Sequence, residues 1–436
     1  MKEIIFSLTR FRSLFKKAAG VFYKMIFVII CVFFLSTLLT CSKDDNKEQN
    51  SSGKSEASFN ATFTEKTVYF TATEADKDVL SIDEDKNIFS FKNSNEKAKG
   101  LKKGDVILIH GKALAKANKV TEQGNAIVVE TEEATLDEAI EDGTIQWSTY
   151  CDFQPEMELR VAMGDQLYYP RRAAAGKTVQ FDFDYGGYNY LIEMDMNKEY
   201  ANVIIEVTKK VVKGVKLKYA VEGRISALNA GAKIEYKKSK LKNFTQTNNN
   251  IEGELTLSAT LAGSGNDALN LTLPVVLAAY PLMVGPIPTV ITLKLQVVVN
   301  SVVPLDGSAK LETKFKYSST TGIKYDGTDL KGTGKIGPYS IDKKEIDTGA
   351  SSAIGVNFGI GFPRIEVGIF GKVVVPWIQT AFLIGGDFTF FPACRTAQAS
   401  FIGACGYDLS FLGFKKSDKI TFWEEKKEFL RTGDCK

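Results

Sequence analysis

Apolar and polar residues alternate with a period of two along much of this chain. The alternation is clear in Val179–Tyr185, Val215–Tyr219 and Leu255–Ser258. In a β-strand this period places one set of side chains on a core and the other set in water. Turn dipeptides such as Gly186-Gly187 and Asp326-Gly327 separate the alternating segments. The pattern therefore predicts an all-β protein built largely from antiparallel strands.

Residues 59–148 are predicted to form a small N-terminal β-barrel or roll with one short helix. The helix is expected at Ala134–Glu141, because Thr135 is a suitable N-cap and Glu138 follows three residues later. Short apolar runs bounded by turn residues predict the strands of this domain. They are Val68–Thr71, Val79–Ile82, Ile88–Phe91, Val106–His110, Lys119–Val120 and Ala126–Glu130.

Residues 149–436 are predicted to form a larger, antiparallel β-sandwich-like domain. Its densest apolar segment is Leu269–Val303, which Tyr280-Pro281 and Gly285–Pro288 interrupt. Proline removes a backbone donor and fixes φ, so these interruptions exclude a long helix and favour a bend. The segment is therefore interpreted as two buried strands around a proline-fixed connection.

The N-terminal segment has the order of an export signal. Basic residues precede the apolar run Met25–Leu39, which is shorter than the roughly 20 residues of a spanning helix. Cys41 closes the run, and residues 41–58 are almost entirely polar. We interpret residues 1–40 as a signal peptide and residues 41–58 as a disordered tether that begins at a lipidated cysteine. The alternatives are an uncleaved anchor helix and an ordinary signal followed by a chance cysteine.

The residues around Cys41 resemble the lipobox of bacterial lipoproteins. Leu38-Leu39-Thr40-Cys41 follows that pattern, although Thr40 replaces the usual Gly, Ala or Ser. The next residues, Ser42, Lys43, Asp44 and Asp45, resemble the export tag of surface lipoproteins in the Bacteroidota. The resemblance implies acyl chains on Cys41 and a lipid anchor in the outer membrane, at the cell surface. The periplasmic face is the alternative location, and a plain solvated tether is the alternative reading of the tag.

Two motifs in the first domain resemble a module of large secreted and surface proteins of bacteria. They are the strand entry Gly104-Asp105-Val106 and the strand-to-helix junction Thr131–Ala139. Gly285–Val290 and Val367–Gly371 are similar to the β-rich C-terminal portions of the same proteins. The resemblance implies a β-rich fold and no particular activity, and the motifs are interpreted as folding features.

The net charge of the mature chain differs from that of the whole sequence. Residues 1–40 carry six basic residues and one acid, a net charge of +5 within the whole-chain +3. Removal of this leader leaves the mature chain at −2. Without a basic excess, neutralisation of a phosphate backbone is disfavoured, so nucleic acid is not an expected partner.

Four cysteines remain in the mature domains, namely Cys151, Cys394, Cys405 and Cys435. An even number in an exported chain predicts two disulfides, with three connectivities open. We expect Cys394 to pair with Cys405, which closes a short loop, and Cys151 to pair with Cys435. Metal binding is the alternative, but the sequence has no CxxC pair and a single histidine, His110. No metal and no cofactor is therefore expected.

Paired carboxylates are the strongest enzymatic signal. Asp182 with Asp184, and Glu193 with Asp195, are each two residues apart on one predicted strand face. Such pairs could serve a retaining glycosidase, but a solvated outer face explains them as well. His110 lies at the end of an apolar strand, and no nucleophile elbow accompanies it.

Tyr185, Tyr188 and Tyr190 flank a glycine turn and form a candidate stacking platform for sugars. The alternative is that strand propensity alone enriches tyrosine here. Three classes of function stay open: a binding or adhesive module for a glycan, lipid or protein, a polysaccharide hydrolase, and a lipid carrier. We favour the binding module over an enzyme.

Overall fold

The computed structural model describes residues 55–153, 159–172, 177–209, 216–262, 267–303, 308–347, 354–390 and 393–435. In these residues the chain forms strands in three sheets, three short α-helices and one 3-10 turn at Ser410–Leu412, so the all-β fold class is confirmed. The helices are α1 (Ala72–Lys77), α2 (Glu96–Gly100) and α3 (Leu136–Ala139).

The strands are numbered along the chain. They are β1 (Glu56–Phe63), β2 (Thr67–Phe70), β3 (Val79–Asp83), β4 (Ile88–Lys92), β5 (Val106–Ile109), β6 (Ala113–Gln123), β7 (Ala126–Glu133), β8 (Ile140–Cys151), β9 (Arg160–Met163), β10 (Gln166–Tyr168), β11 (Arg171–Arg172), β12 (Thr178–Tyr185), β13 (Tyr188–Met196), β14 (Tyr200–Lys209), β15 (Lys216–Ser226), β16 (Leu228–Tyr236), β17 (Leu241–Ala262), β18 (Asp267–Val284), β19 (Ile287–Val303), β20 (Ser308–Tyr325), β21 (Leu330–Gly332), β22 (Lys335–Ile336), β23 (Ser340–Asp347), β24 (Ile354–Ile369), β25 (Lys372–Phe390), β26 (Ala393–Asp408) and β27 (Ser417–Gly433).

Six strands, β2 to β7, form the small sheet, in the order β2-β5-β6-β7-β4-β3. The side chains of Phe70 and Phe91 stack at 4.8 Å in its core, and Ile107 and Val129 are fully buried beside them. Helix α1 begins at a capping box, in which Thr71 and the Glu74 carboxylate satisfy free backbone N–H groups. The small sheet therefore has a core and helix caps of its own.

The large sheet has thirteen antiparallel strands, ordered β1-β8-β16-β17-β15-β14-β13-β12-β11, with β20 and its short partners β21, β22 and β23 on the other side of β17. Strands β15 and β16 lie end to end along β17, on either side of a break around Ala227. The long strand β17 shifts register at the same level, between Asn248 and Ile251. The antiparallel pair β17–β20 therefore continues past this level with a shifted register.

Strands β1 and β8 pair with each other in the large sheet, although the whole small sheet lies between them in sequence. The range predicted as the first domain, 59–148, thus contributes strands to both sheets. Strand β1 begins at Glu56, within the range predicted as a tether.

The second sheet has eight antiparallel strands in the order β10-β9-β18-β19-β24-β25-β26-β27. The predicted pair of strands in Leu269–Val303 is confirmed as the hairpin β18–β19, with its turn at Gly285-Pro286. Pro281 and Pro288 lie inside these strands. The expected bend is therefore confined to the turn.

The large sheet and the second sheet enclose one continuous hydrophobic core, as a sandwich does. Phe315 and Tyr317 of β20 contact the ring of Phe382 on β25, at centroid distances of 5.3 and 4.5 Å. The Tyr219 hydroxyl donates a hydrogen bond across the core to Ser301. Aromatic packing and a few buried hydrogen bonds therefore join the two sheets.

The predicted helix at Ala134–Glu141 is shorter than expected. Helix α3 covers only Leu136–Ala139, and the Thr135 N–H donates to the Glu138 carboxylate at 3.0 Å as the capping pattern predicts. The helix ends there because Ile140 begins β8, where cross-strand pairing replaces the helical hydrogen bonds.

Candidate functional site

The predicted lipidation site and export tag, Cys41 to Asp45, lie outside the described residues, as does the apolar leader. Within the part of the chain that the structure describes, no helix has the length and apolar character needed to cross a membrane. Contacts can be assigned to the other predicted site residues.

The three predicted platform tyrosines share one face of the β12–β13 hairpin. Tyr185 pairs with Tyr188 beside the turn, and Tyr190 follows on the same side of β13. This face is turned to the core, where Tyr188 and Tyr190 are 5 % and 1 % exposed. Tyr185 is 37 % exposed because it lies at the end of the sheet. The three rings therefore do not form an exposed stacking platform.

One of these tyrosines, Tyr190, belongs to a stack of aromatic rings that closes this end of the sandwich. The Phe183 ring lies between Tyr168 and Tyr190, at centroid distances of 4.0 and 5.1 Å. Burial raises the pKa of Tyr190 to about 12, with smaller contributions from Tyr185 and Tyr168. The stack joins β10 of the second sheet to β12 and β13 of the large sheet, which is a structural role.

The candidate carboxylate pair Asp182 and Asp184 lies on the outer face of β12, where both residues are exposed. The Asn189 amide donates to both carboxylates, at 3.0 and 3.4 Å. On the next strand, Glu193 accepts a hydrogen bond of 2.6 Å from the side chain of Gln180. These groups form a hydrogen-bonded, solvated surface.

The predicted disulfide pairing is wrong. Cys394 is bonded to Cys435, with Cα atoms 4.9 Å apart, while Cys151 and Cys405 are buried free thiols. Cys394 and Cys405 lie near opposite ends of the extended strand β26, which separates them by roughly 36 Å and excludes a bond. Burial raises the pKa of both free thiols, that of Cys405 to about 12, so they are unreactive.

The lone histidine and the acidic turn after β3 have local partners. His110 Nδ1 lies 2.7 Å from the Tyr69 hydroxyl, and Lys86 pairs with Asp83 at 2.7 Å. Across the described residues, no three Asp, Glu, His or Cys side chains come together as a metal site requires. This geometry provides no catalytic arrangement around His110.

A trough of about 450 Å³ lies on the outer face of the large sheet, across β1, β8, β16 and β17. Strand register aligns its lining in two rows. In the first row Ser148 is opposite Gly231, which is opposite Thr247. In the second row Ser58 is opposite Gln146, and Lys233 separates Gln146 from Thr245. We name this the outer-face trough and define it by Ser58, Gln146, Ser148, Gly231, Thr245 and Thr247.

Gly231 forms the floor of the trough. A Cβ at this position would lie 3.0 Å from the Trp147 carbonyl oxygen, so a side chain would crowd the neighbouring strand. Glycine inside a strand often marks a place where a ligand or another backbone approaches closely. Gly231, inside the strand Leu228–Tyr236, is the sequence signal for the trough, and it is neither a charged nor an aromatic residue.

The trough offers mainly neutral hydrogen-bonding groups, and Glu56, opposite Ser148 on the edge strand β1, adds one exposed carboxylate at its end. Within the described residues, none of its five hydroxyl and amide side chains has a hydrogen-bond partner in the chain. Its one basic side chain, Lys233, is paired with Glu235 in the same strand. Because adjacent strands are about 4.8 Å apart, the rows present hydroxyl and amide groups at a regular spacing. This lining suits an extended, uncharged ligand rich in hydroxyl groups.

Among the residues that the structure describes, every carboxyl group with a resolved pKa shift has its pKa lowered. In Glu254 the cause is a hydrogen bond from Lys314, and Lys316 adds to it. A general acid of a glycoside hydrolase needs the opposite shift. The lowered groups are Glu74, Glu138, Glu235, Glu254, Asp326 and Glu428.

Comparison of the chain with protein-family models, with curated proteins and with solved structures gave no match.

Proposed function

We propose that this chain is a lipid-anchored binding protein of the bacterial cell surface, which holds a neutral glycan chain in the outer-face trough. The observation that carries the proposal is the double row of uncommitted hydroxyl and amide groups around the floor at Gly231. Polar ligands are recognised by such convergent donors and acceptors, and a row across several strands fits an extended chain.

Features elsewhere in the molecule favour binding over catalysis or lipid transport. The shifted carboxyl groups are stabilised as anions, which suits ion pairs better than proton donation. The space between the two large sheets is filled by packed side chains, such as the stacked rings of Phe382 and Phe401 at 4.9 Å. A filled core leaves the surface of the sandwich as the place for a ligand.

The proposed location rests on the N-terminal residues and is supported by the disulfide. Acylation of Cys41 supplies the anchor, and the acidic residues after it direct the protein to the surface. The Cys394–Cys435 bond is of the kind that persists in oxidising compartments outside the cytoplasm.

Protease shaving of intact cells tests this location: the wild type should be digested, and Asp44→Ala/Asp45→Ala should be protected. Equal protection of both proteins would overturn surface export.

Glycan binding is tested with the purified protein on an array of neutral and acidic polysaccharides, followed by calorimetry on the best binder. Gln146→Ala/Thr245→Ala removes one amide and one hydroxyl from the trough and should weaken binding about tenfold or more, at roughly 1 kcal/mol for each hydrogen bond. The matched control is Thr256→Ala/Thr260→Ala, which changes the same outer face of β17 beyond the trough.

The control should bind as the wild type does. A trough variant that binds with unchanged affinity would refute the trough as the site. An array on which no neutral glycan is bound would refute the ligand class.

A further inference from the structure

Another surface lies where the open edge of the second sheet meets the open edge of the large sheet. Strand β10 is the last strand of the second sheet and β11 is the last strand of the large sheet, and they follow each other in sequence. This short segment exposes two large apolar side chains: Leu167 is 49 % exposed and Tyr169 is 64 % exposed. Tyr185 of the neighbouring hairpin adds a third, and a Cβ at Gly164 would lie 3.2 Å from its hydroxyl.

Arginines adjoin these apolar groups. Arg171 and Arg172 are both exposed on β11, opposite Gln180 and Val179 of β12. Asp165 lies at the tip of the preceding hairpin and is exposed as well. We name Leu167, Tyr169, Arg171, Arg172 and Tyr185 the edge patch.

The edge patch rests on a rigid base. Tyr168, which lies between the two exposed apolar residues, stacks on Phe183 at 4.0 Å with the ring planes 19° apart. Phe183 is in turn packed on the buried ring of Tyr190. The stack therefore fixes the backbone that carries the exposed side chains on either side of Tyr168.

We propose that the edge patch contacts a lipid bilayer that carries anionic phosphate head groups. Tyrosine is favoured at the membrane interface because its ring is apolar and its hydroxyl remains hydrated. The planar guanidinium of arginine matches the geometry of phosphate oxygens, and a negative surface potential attracts it. The combination of exposed apolar side chains with the arginines of β11, one on each face of that strand, fits a phosphate-bearing bilayer better than a neutral glycan.

This contact adds to the proposed lipid anchor and does not depend on the trough. The acyl chains on Cys41 hold the protein at the membrane through the N-terminal segment, and a contact by the folded domain adds to that attachment. It also restricts the orientations of a tethered protein, because two points of attachment remove freedom that one point leaves.

The test is quenching of a tryptophan reporter by brominated lipids, with the full-length protein titrated with vesicles. Tyr169→Trp places the reporter in the edge patch, and Leu80→Trp, at a site that is 52 % exposed on β3, is the matched control. The vesicles contain brominated phosphatidylcholine, with or without phosphatidylglycerol. The native tryptophans of the unsubstituted protein provide the baseline.

The Tyr169→Trp reporter should be quenched in phosphatidylglycerol vesicles, while the Leu80→Trp reporter should not. Arg171→Gln/Arg172→Gln in the reporter background should raise the lipid concentration for half-quenching about tenfold or more. Equal quenching of both reporters, or none, would overturn the contact. Quenching that ignores phosphatidylglycerol and the arginines would overturn the preference for phosphate.

Flotation of the same samples separates this result from the anchor. Protein that floats with the vesicles while the edge reporter stays unquenched refutes the edge patch and leaves the anchor intact. Protein that is quenched only at excess lipid and does not float supports the edge patch and refutes the anchor.

Discussion

Replacement of Phe382 by alanine tests the packing between the large sheet and the second sheet. Phe382 lies on β25 and is fully buried. Its ring contacts Tyr317 of the opposite sheet at 4.5 Å and Phe401 of the neighbouring strand at 4.9 Å. Removal of the ring would leave a cavity between three other aromatic side chains, because Phe315 also packs on it.

The expected magnitude follows from the environment of the ring. Truncation of a buried phenylalanine to alanine costs about 3–5 kcal/mol, which includes lost transfer free energy and the cavity. That range already includes lost aromatic contacts, each of which is worth about 0.5–1.5 kcal/mol beyond burial, so a ring with several such contacts belongs at its upper end. We therefore expect Phe382→Ala to lower the free energy of unfolding by about 4–5 kcal/mol. Phe382→Leu, which keeps most of the volume, should lower it by about 1–1.5 kcal/mol.

The assay is urea unfolding followed by tryptophan fluorescence, with the m-value compared between variants. Trp423 provides a local signal because its ring lies 4.5 Å from that of Phe401. Tyr339→Ala is the control, since Tyr339 is 42 % exposed at the margin of the same aromatic cluster, and it should cost less than about 1 kcal/mol. A loss below about 2 kcal/mol for Phe382→Ala, or one equal to the control, would refute the packing of this ring between the sheets.

Two further predictions concern the disulfide and the buried tyrosines. Cys394→Ser/Cys435→Ser should lower the free energy of unfolding by about 4 kcal/mol, the chain-entropy value for a bond between residues 41 apart. The reduced wild type should match it in urea unfolding, and a reduced wild type as stable as the oxidised form would contradict the estimate. The pKa of Tyr190 is raised to about 12 by burial, so the neutral ring stabilises the fold below pH 10 and this stability is lost between about pH 10 and 12. Tyr190→Phe should flatten the alkaline loss in a pH series of unfolding curves, and Tyr185→Phe should not; equal curves for both would contradict the assignment.

Local features of the fold could be predicted from the sequence. The turns at Gly186-Gly187 and Asp326-Gly327 occur between strands as expected, because turn chemistry depends on a few adjacent residues. The alternation in Val179–Tyr185 gave the correct strand and grouped its residues by face. The same alternation does not show which face of the hairpin is buried. Tyr188 and Tyr190, which are predicted to belong to an exposed platform, therefore lie in the core.

Long-range pairing could not be predicted. The disulfide joins Cys394 to Cys435 because β26 and β27 run antiparallel with Cys394 opposite Gly433. Short sequence separation favoured Cys405, but an extended strand keeps such residues apart. The outer-face trough depends in the same way on the register of four strands, and a sequence shows such a site only through a glycine such as Gly231.

The pairing of β1 with β8 has a consequence for the modular history of this chain. Phe63 at the end of β1 is opposite Ile140 at the start of β8, so the chain leaves the large sheet and returns to it at one point. The small sheet is thus attached as an insertion at the tip of a β-hairpin. Its excision, with a two-residue turn in its place, would leave the strand pairing of the sandwich intact, although Val106 and Leu136 would be lost from the sandwich core. A gene for the sandwich could therefore have gained the small sheet, or lost it, without any change in how the large sheets pair.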